Sequence, residues 1–258
     1  MRDNTGEVVK TIADRIFEVL QNRPRGLRVD DVRIGLRYTA VRLNDGRLGL
    51  AYRFPAAAGC KDIILPENGR LAGREAQELL AWIRSEILLQ RSIGLATANA
   101  LIGSPSGEVS YGDIRSVIEF RAGETVAMVG HFEPLVADIR ERCSLKIYEL
   151  DPAIGSELGS SRNTIEGLRN CAIALITSTA IINNTIDELL EAASDCREVV
   201  VLGPSTPLLP DAFIGTPVTL LSGVEIISDE ILGVVSEGGG MQQFKRFVRK
   251  VNCRLFET

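Results

Sequence analysis

Glu124-Thr-Val-Ala-Met-Val-Gly130-His-Phe-Glu-Pro134, continued by Tyr148-Glu149-Leu-Asp151-Pro152, decides the fold. An apolar run of strand length meets one glycine, a helical pattern follows, and a second apolar run ends in acid. That order predicts the opening βαβ unit of a nucleotide-type α/β sheet. The usual phosphate grip is missing: Gly130 stands alone where a dinucleotide site has Gly-x-Gly-x-x-Gly.

Downstream, short apolar runs bounded by turn residues recur at Ala172–Ile176, Val199–Leu202 and Val218–Leu221. Such runs suit parallel strands covered on both faces. Helical patterns over Pro134–Arg142 and Ile186–Ala193 fill the gaps, and Gln242–Asn252 reads as a last helix after Gly238-Gly239-Gly240. Upstream the pattern differs. Val9, Ile12, Ala13, Ile16 and Leu20 share a helical face; Val32 to Ala40 and Leu48 to Tyr52 alternate as two strands around Asn44-Asp45-Gly46, a hairpin turn. Residues 53–70 read as a long loop and 72–102 as helical, with small side chains along Ile93–Ile102 that permit close backbone packing. The fold class predicted is α/β: an N-terminal α+β domain over residues 1–103, then a Rossmann-like parallel-sheet domain over 108–258 beyond the Ser104-Pro-Ser-Gly107 linker.

Composition narrows the partners. Net charge is −5, and no basic stripe precedes Lys245–Arg254, so nucleic acid is not expected. No apolar run reaches the ~18 residues of a membrane span, and no signal-peptide core opens the chain. No membrane partner and a cytoplasmic location are expected. The five cysteines are odd in number and scattered without a Cys-x-x-Cys pair, which predicts buried free thiols and neither a disulfide framework nor a zinc knuckle.

Ligands of open α/β sheets bind beyond the carboxyl ends of the strands. The residues that follow each predicted strand therefore assemble a candidate site: Gly130, His131 and Phe132; Glu149 and Asp151; Ser178, Asn183 and Thr185; Gly203, Pro204, Ser205 and Thr206; Ser222 and Gly223. Glu149 and Asp151 stand 19 and 21 residues after Gly130, the spacing at which a carboxylate meets ribose hydroxyls in dinucleotide proteins. His131, the one histidine, rules out a histidine-based metal cluster; it is a candidate catalytic group beside Glu149. Thr185-Ile-Asp-Glu188 reads as a capping box. The triple glycine serves equally as an anion site at a helix start or as a hinge.

Gly94-Leu-Ala-Thr-Ala-Asn99-Ala, Val129-Gly-His-Phe132, Tyr148-Glu149-Leu-Asp151-Pro152, Ile182-Asn183-Asn-Thr185-Ile-Asp-Glu-Leu-Leu190 and Leu202-Gly-Pro-Ser-Thr-Pro-Leu-Leu-Pro210 together resemble a prokaryotic domain-of-unknown-function family labelled "putative heavy-metal chelation". The resemblance spans nearly the whole chain. It implies an N-terminal domain like that of enolase, a Rossmann-like domain, and an active site in the cleft between them. It points to Asn99, Gly130, Phe132, Glu149, Asn183, Thr185 and the loop 203–207 as cleft residues.

The leading expectation is a small anionic or nucleoside-like ligand in that cleft, with the protein acting on a metal-chelating metabolite. A non-enzymatic metal carrier using His131, Glu149, Asp151 and Cys60 is the second reading, and a methyltransferase- or reductase-like enzyme with an atypical cofactor site the third. The cofactor stays open between a divalent metal and a nucleoside-like molecule. The apolar N-terminal helix and hairpin suggest a homodimer.

Overall fold

The computed structural model describes residues 10–23, 26–55, 69–105, 107–149 and 162–255. Its N-terminal part begins with α1 (Ile12–Gln21), which starts where Thr11 and Asp14 close a capping box. Asp187, from a distant part of the chain, also accepts the Ile12 N–H at 2.9 Å. The apolar stripe Ile12, Ala13, Ile16 and Leu20 is buried inside the chain. It is therefore not an exposed surface for a second copy.

Three strands follow, β1 (Val29–Ile34), β2 (Tyr38–Leu43) and β3 (Leu48–Tyr52), paired antiparallel in that order. The hairpin at Asn44–Arg47 is the one expected, with Gly46 at φ 89°. The segment Val32–Ala40, expected as one strand, is two. Gly35 donates its N–H to the Tyr38 carbonyl at 2.9 Å and turns the chain there. A Cβ on Gly35 would lie 2.1 Å from the Val235 carbonyl oxygen, so only glycine lets the turn pack against that neighbouring helix.

The helical region divides into α2 (Ala76–Leu80), a 3-10 turn over Ala81–Arg84, and α3 (Leu88–Ile102). Small side chains along α3 bring its backbone onto the sheet. A Cβ on Gly49 of β3 would fall 2.0 Å from the Ala96 carbonyl oxygen, and one on Gly94 would fall 2.2 Å from the Ile83 nitrogen.

A seven-stranded mixed sheet forms the larger part. Its strands are β4 (Glu108–Tyr111), β5 (Thr125–Val129), β6 (Ser144–Tyr148), β7 (Ile173–Thr177), β8 (Glu198–Leu202), β9 (Leu220–Ile226) and β10 (Val248–Arg254). They lie in the order β4-β10-β9-β8-β7-β5-β6. The block from β6 to β9 is parallel, while β10 and β4 are antiparallel additions at one edge. The helices of this part are α4 (Glu133–Arg140), α5 (Arg162–Arg169), α6 (Thr179–Ile182), α7 (Ile186–Ala192), α8 (Ile231–Ser236) and α9 (Met241–Phe244). The fold is thus α/β, with a small antiparallel sheet and a larger, mostly parallel one. Buried side chains of α1 and α3 join those of β5, β7 and β8 in one continuous core.

Two expectations fail in this part. The last helix ends at Phe244, a 3-10 turn takes Lys245–Phe247, and β10 occupies the rest of the span assigned to it. The final parallel strand starts later than its apolar run suggested and extends to Ile226. Ser222 and Gly223 consequently lie within β9, opposite Asn252 and Val251, rather than beyond its end.

The order in which successive strands are added reverses at β5, which lies between β6 and β7 with all three parallel. In chain order the parallel strands read 2-1-3-4-5, so the crevice of an open α/β sheet falls at the carboxyl ends of β5 and β7.

Candidate functional site

Gly130 ends β5 at φ 89° and donates its N–H to the Tyr148 carbonyl at 2.8 Å. A Cβ there would stand 3.0 Å from the Thr177 Cβ, so the turn requires glycine on both conformational and steric grounds. This bend directs the next two residues across the strand ends. The Phe132 ring brings one edge carbon within 3.7 Å of the Cβ position of Gly130, and another within 3.8 Å of that of Gly203. The ring therefore bridges the ends of β5 and β8. Close by, Ser178 is buried, and its Oγ stands 3.1 Å from the Gly203 Cβ position without a hydrogen-bond partner among the described residues.

His131 is about half exposed, with Nε2 2.8 Å from a Glu133 carboxylate oxygen and Nδ1 3.8 Å from one of Glu149. The first contact is a close charge pair, ionic only when the imidazole is protonated. The second is too long for a hydrogen bond and likewise becomes an ionic attraction only when the imidazole is protonated.

A cleft of 390 Å³ opens beside Phe132. Gly130's neighbours His131 and Phe132 form one wall, Gly203, Pro204, Ser222 and Gly223 another, and Tyr38 of β2 reaches in from the N-terminal part. Asp113 and Lys250 line the same space, joined at 2.6 Å across the edge where β10 meets the end of β4. A wider chamber of 620 Å³ adjoins it, lined by Arg37, Tyr52 and Gly238–Gly240, with Tyr38, Met241 and Gln242 common to both.

Tyr38 is only 9% exposed, packed edge-on against Phe244 and Tyr52 at centroid distances of 5.0 and 5.7 Å. Burial pushes its hydroxyl pKa up, with the neighbouring Tyr52 adding to the effect, so it stays a hydrogen-bond donor. That hydroxyl bonds to none of the described residues. Arg37 is exposed and its guanidinium makes no ion pair with a described residue.

Several residues expected at the rim lie elsewhere. Asn99 Nδ2 donates to the carbonyls of Leu50 at 2.8 Å and Ser205 at 3.1 Å, and Ser205 Oγ accepts the Tyr52 N–H at 2.7 Å. Asn99, Ser205 and the buried Thr206 thus belong to the seam between the two sheets. Ser222 does line the cleft, but its hydroxyl is already given to Asn252 Oδ1 at 2.8 Å. Asn183 accepts the Thr185 hydroxyl at 2.8 Å, so the expected capping box does not form. The backbone explains this: Asn184 takes a left-handed φ of 66° and swings Thr185 toward Asn183. Asp151 and Cys60 lie outside the described residues.

Tyr38, Arg37, Asp113, Met241, Gln242 and Lys250 were missing from the expected site. Tyr38 carried a weak signal as a tyrosine on an alternating strand. The Asp113–Lys250 pair carried none, because only the antiparallel addition of β10 and β4 brings those residues together.

The donor set at the cleft is hard: one imidazole with carboxylates around it. No group of three His, Cys, Asp or Glu side chains among the described residues is arranged to hold a metal ion. Cys143, Cys171 and Cys196 precede β6, β7 and β8 and so lie at the opposite rim, while Cys253 sits in β10 opposite Leu221, near the start of β9. Burial pushes the Cys253 thiol up to about 11. Among the described residues, no helix is long and apolar enough to cross a membrane.

Comparison with known proteins agrees with this architecture. An uncharacterised protein of Methanocaldococcus jannaschii is 22% identical over 96% of this chain and 98% of its own length. A DUF364-family protein of unknown function from Pyrococcus horikoshii superposes with a TM-score of 0.80 at 20% identity, covering 95% of this chain and 100% of that one. Another from Desulfitobacterium hafniense superposes with a TM-score of 0.75 at 23% identity, covering 94% and 98%. Two family models match, both described as "Putative heavy-metal chelation": DUF4213 over residues 17–102 and DUF364 over residues 113–254. The chain belongs to the DUF364 family, with the companion DUF4213 region as its N-terminal part.

Proposed function

We propose that the protein binds a small anionic ligand with a flat, nucleoside-like portion in the cleft between β2 and the carboxyl ends of the parallel strands. The observation that carries this reading is Tyr38. Its ring is nine-tenths buried and fixed by neighbouring aromatics, and the residue lines two adjoining chambers, which makes its protonated hydroxyl a positioned donor for a ligand there. Cavity size and a mixed apolar and polar wall suit a small molecule. Phe132 offers a ring face for stacking, and Arg37 supplies positive charge in the adjoining chamber.

His131, between Glu133 and Glu149, is the candidate for moving a proton. The reaction class remains that of a metal-chelating metabolite, with the ligand rather than the cleft supplying the soft donors. Heavy-metal chelation by the cleft itself fits poorly, because soft metals prefer thiolates and the described cleft residues provide none. A dinucleotide enzyme fits no better: Phe132 lies across the crevice where a pyrophosphate would have to approach.

A thermal-shift screen of nucleosides, nucleoside monophosphates and pterins tests the reading. A ligand at about a hundred times its Kd adds about 2.7 kcal/mol, or roughly 5–10 °C in a chain of this size. Tyr38→Phe should keep the unliganded melting temperature and reduce the ligand's shift, and Phe132→Ala should abolish the shift. If no compound of these classes raises the melting temperature, the reading fails.

A further inference from the structure

The opposite rim of the parallel sheet, where the strands begin, holds a second cluster. Cys171 stands between α5 and β7, and Cys196 between α7 and β8. Their Sγ atoms are 3.3 Å apart. Both thiols also aim at one acceptor, the Leu168 carbonyl oxygen, at 3.2 Å from Cys171 and 3.4 Å from Cys196. Cys171 is buried and Cys196 partly exposed, which leaves an approach from solvent on one side.

We propose that Cys171 and Cys196 form a binding site for one soft, two-coordinate cation of the copper(I) type, separate from the cleft. The two sulfurs are in contact, so a cation enters between them as the side chains rotate apart, which the partly exposed Cys196 permits. The negative end of the Leu168 carbonyl dipole faces that place and favours a positive charge there. Thiolate sulfur selects soft ions. Zinc is disfavoured, because a structural zinc site needs four ligands and no third His, Cys, Asp or Glu among the described residues completes the set. The exchange balances: two S–H groups lose two protons, one monovalent cation enters, and the resulting bis-thiolate centre carries one negative charge. The matched family description speaks of heavy metals without naming residues, and among the described cysteines only these two bring their thiols together. The proposal is independent of the cleft reading.

An anaerobic copper(I) titration of the full chain against bicinchoninate tests it. The wild type should withdraw one equivalent of copper and develop near-ultraviolet sulfur-to-copper absorption. Cys171→Ser and Cys196→Ser should each lose that equivalent. Cys253→Ser and the cleft double variant His131→Ala/Glu149→Gln should retain it, and zinc(II) should not displace the bound copper. X-ray absorption on the copper-loaded wild type should show two sulfur ligands, a measurement that does not depend on a cysteine variant folding. The proposal is overturned if the wild type cannot compete for copper(I), or if Cys171→Ser/Cys196→Ser keeps the equivalent. It is also overturned if the thiols join as a disulfide on mild oxidation yet take up no copper when reduced.

Discussion

Asn99, on α3, holds Ser205 of the post-β8 loop by donating Nδ2 to its carbonyl at 3.1 Å, while the same nitrogen bonds the Leu50 carbonyl at 2.8 Å. One amide thus ties helix, hairpin and the loop that walls the cleft. Asn99→Ala removes both bonds and leaves two carbonyls short of a donor, at about 1–3 kcal/mol. The melting temperature should fall by roughly 2–10 °C. In a double-mutant cycle with Ser205→Ala, which removes the acceptor of the Tyr52 N–H, the two effects should not add.

Gly49 and Gly46 stand three residues apart and should respond differently. Alanine at Gly49 would drive its Cβ to 2.0 Å from Ala96 O and 2.3 Å from Ala100 N, both backbone atoms of α3. Helix and sheet would have to separate, so a loss of about 3 kcal/mol or more, or failure to fold, is expected. Alanine at Gly46 meets nothing within 4 Å but must hold φ at 89°, a strain of about 1 kcal/mol. Urea unfolding of the two variants compares them directly.

Asp113 gives a dependence on acid. Burial opposes its ionisation, but hydrogen bonds from Arg115 and Lys250 outweigh this and hold the carboxyl at about 2, against an ordinary value of 3.8. With the folded value depressed, the unfolded chain binds more protons between the two. The stabilisation is therefore complete above about pH 4 and is lost as pH falls through 2. After allowance for solvent screening it amounts to about 1 kcal/mol. Asp113→Asn should lower stability at neutral pH by that amount and flatten the stability curve between pH 4 and 2.

Ser178 buries a hydroxyl without a partner among the described residues. Keeping such a group out of water costs about 1–3 kcal/mol. Ser178→Ala should therefore leave the unliganded protein as stable or raise its stability by about 1 kcal/mol. A clear destabilisation, measured by calorimetry, would mean that water or another donor already satisfies this oxygen.

Much of the sheet was legible because burial on both faces writes itself as uninterrupted apolar runs. Thr125–Val129 and the strand at Val199–Leu202 are found nearly where those runs lie. β10 was misread because Phe244, Phe247, Val248 and Val251 are spaced like one helical face. The phenylalanines belong to two short helical turns, and the valines lie in the strand that follows. Gly35 was overlooked because apolar alternation continues through it, and the Val235 carbonyl that demands glycine there is contributed from 200 residues further on. At the candidate site, the strand-end rule found the wall around Gly130, Phe132 and Gly203. It could not find Tyr38, which enters from a different sheet, nor distinguish hydroxyls facing the cleft from those that fasten its scaffold.

The contact of Gly49 with Ala96 and Ala100 also bears on how a ligand would be received. With strand backbone lying directly on helix backbone there is no layer of side chains to slide within the N-terminal part, and the continuous core that joins it to the parallel sheet removes the usual slack of a hinge. The two sides of the cleft should then keep their spacing whether it is filled or empty. Association would be governed by charge and access to an already open mouth, and small-angle scattering should show the same radius of gyration before and after binding.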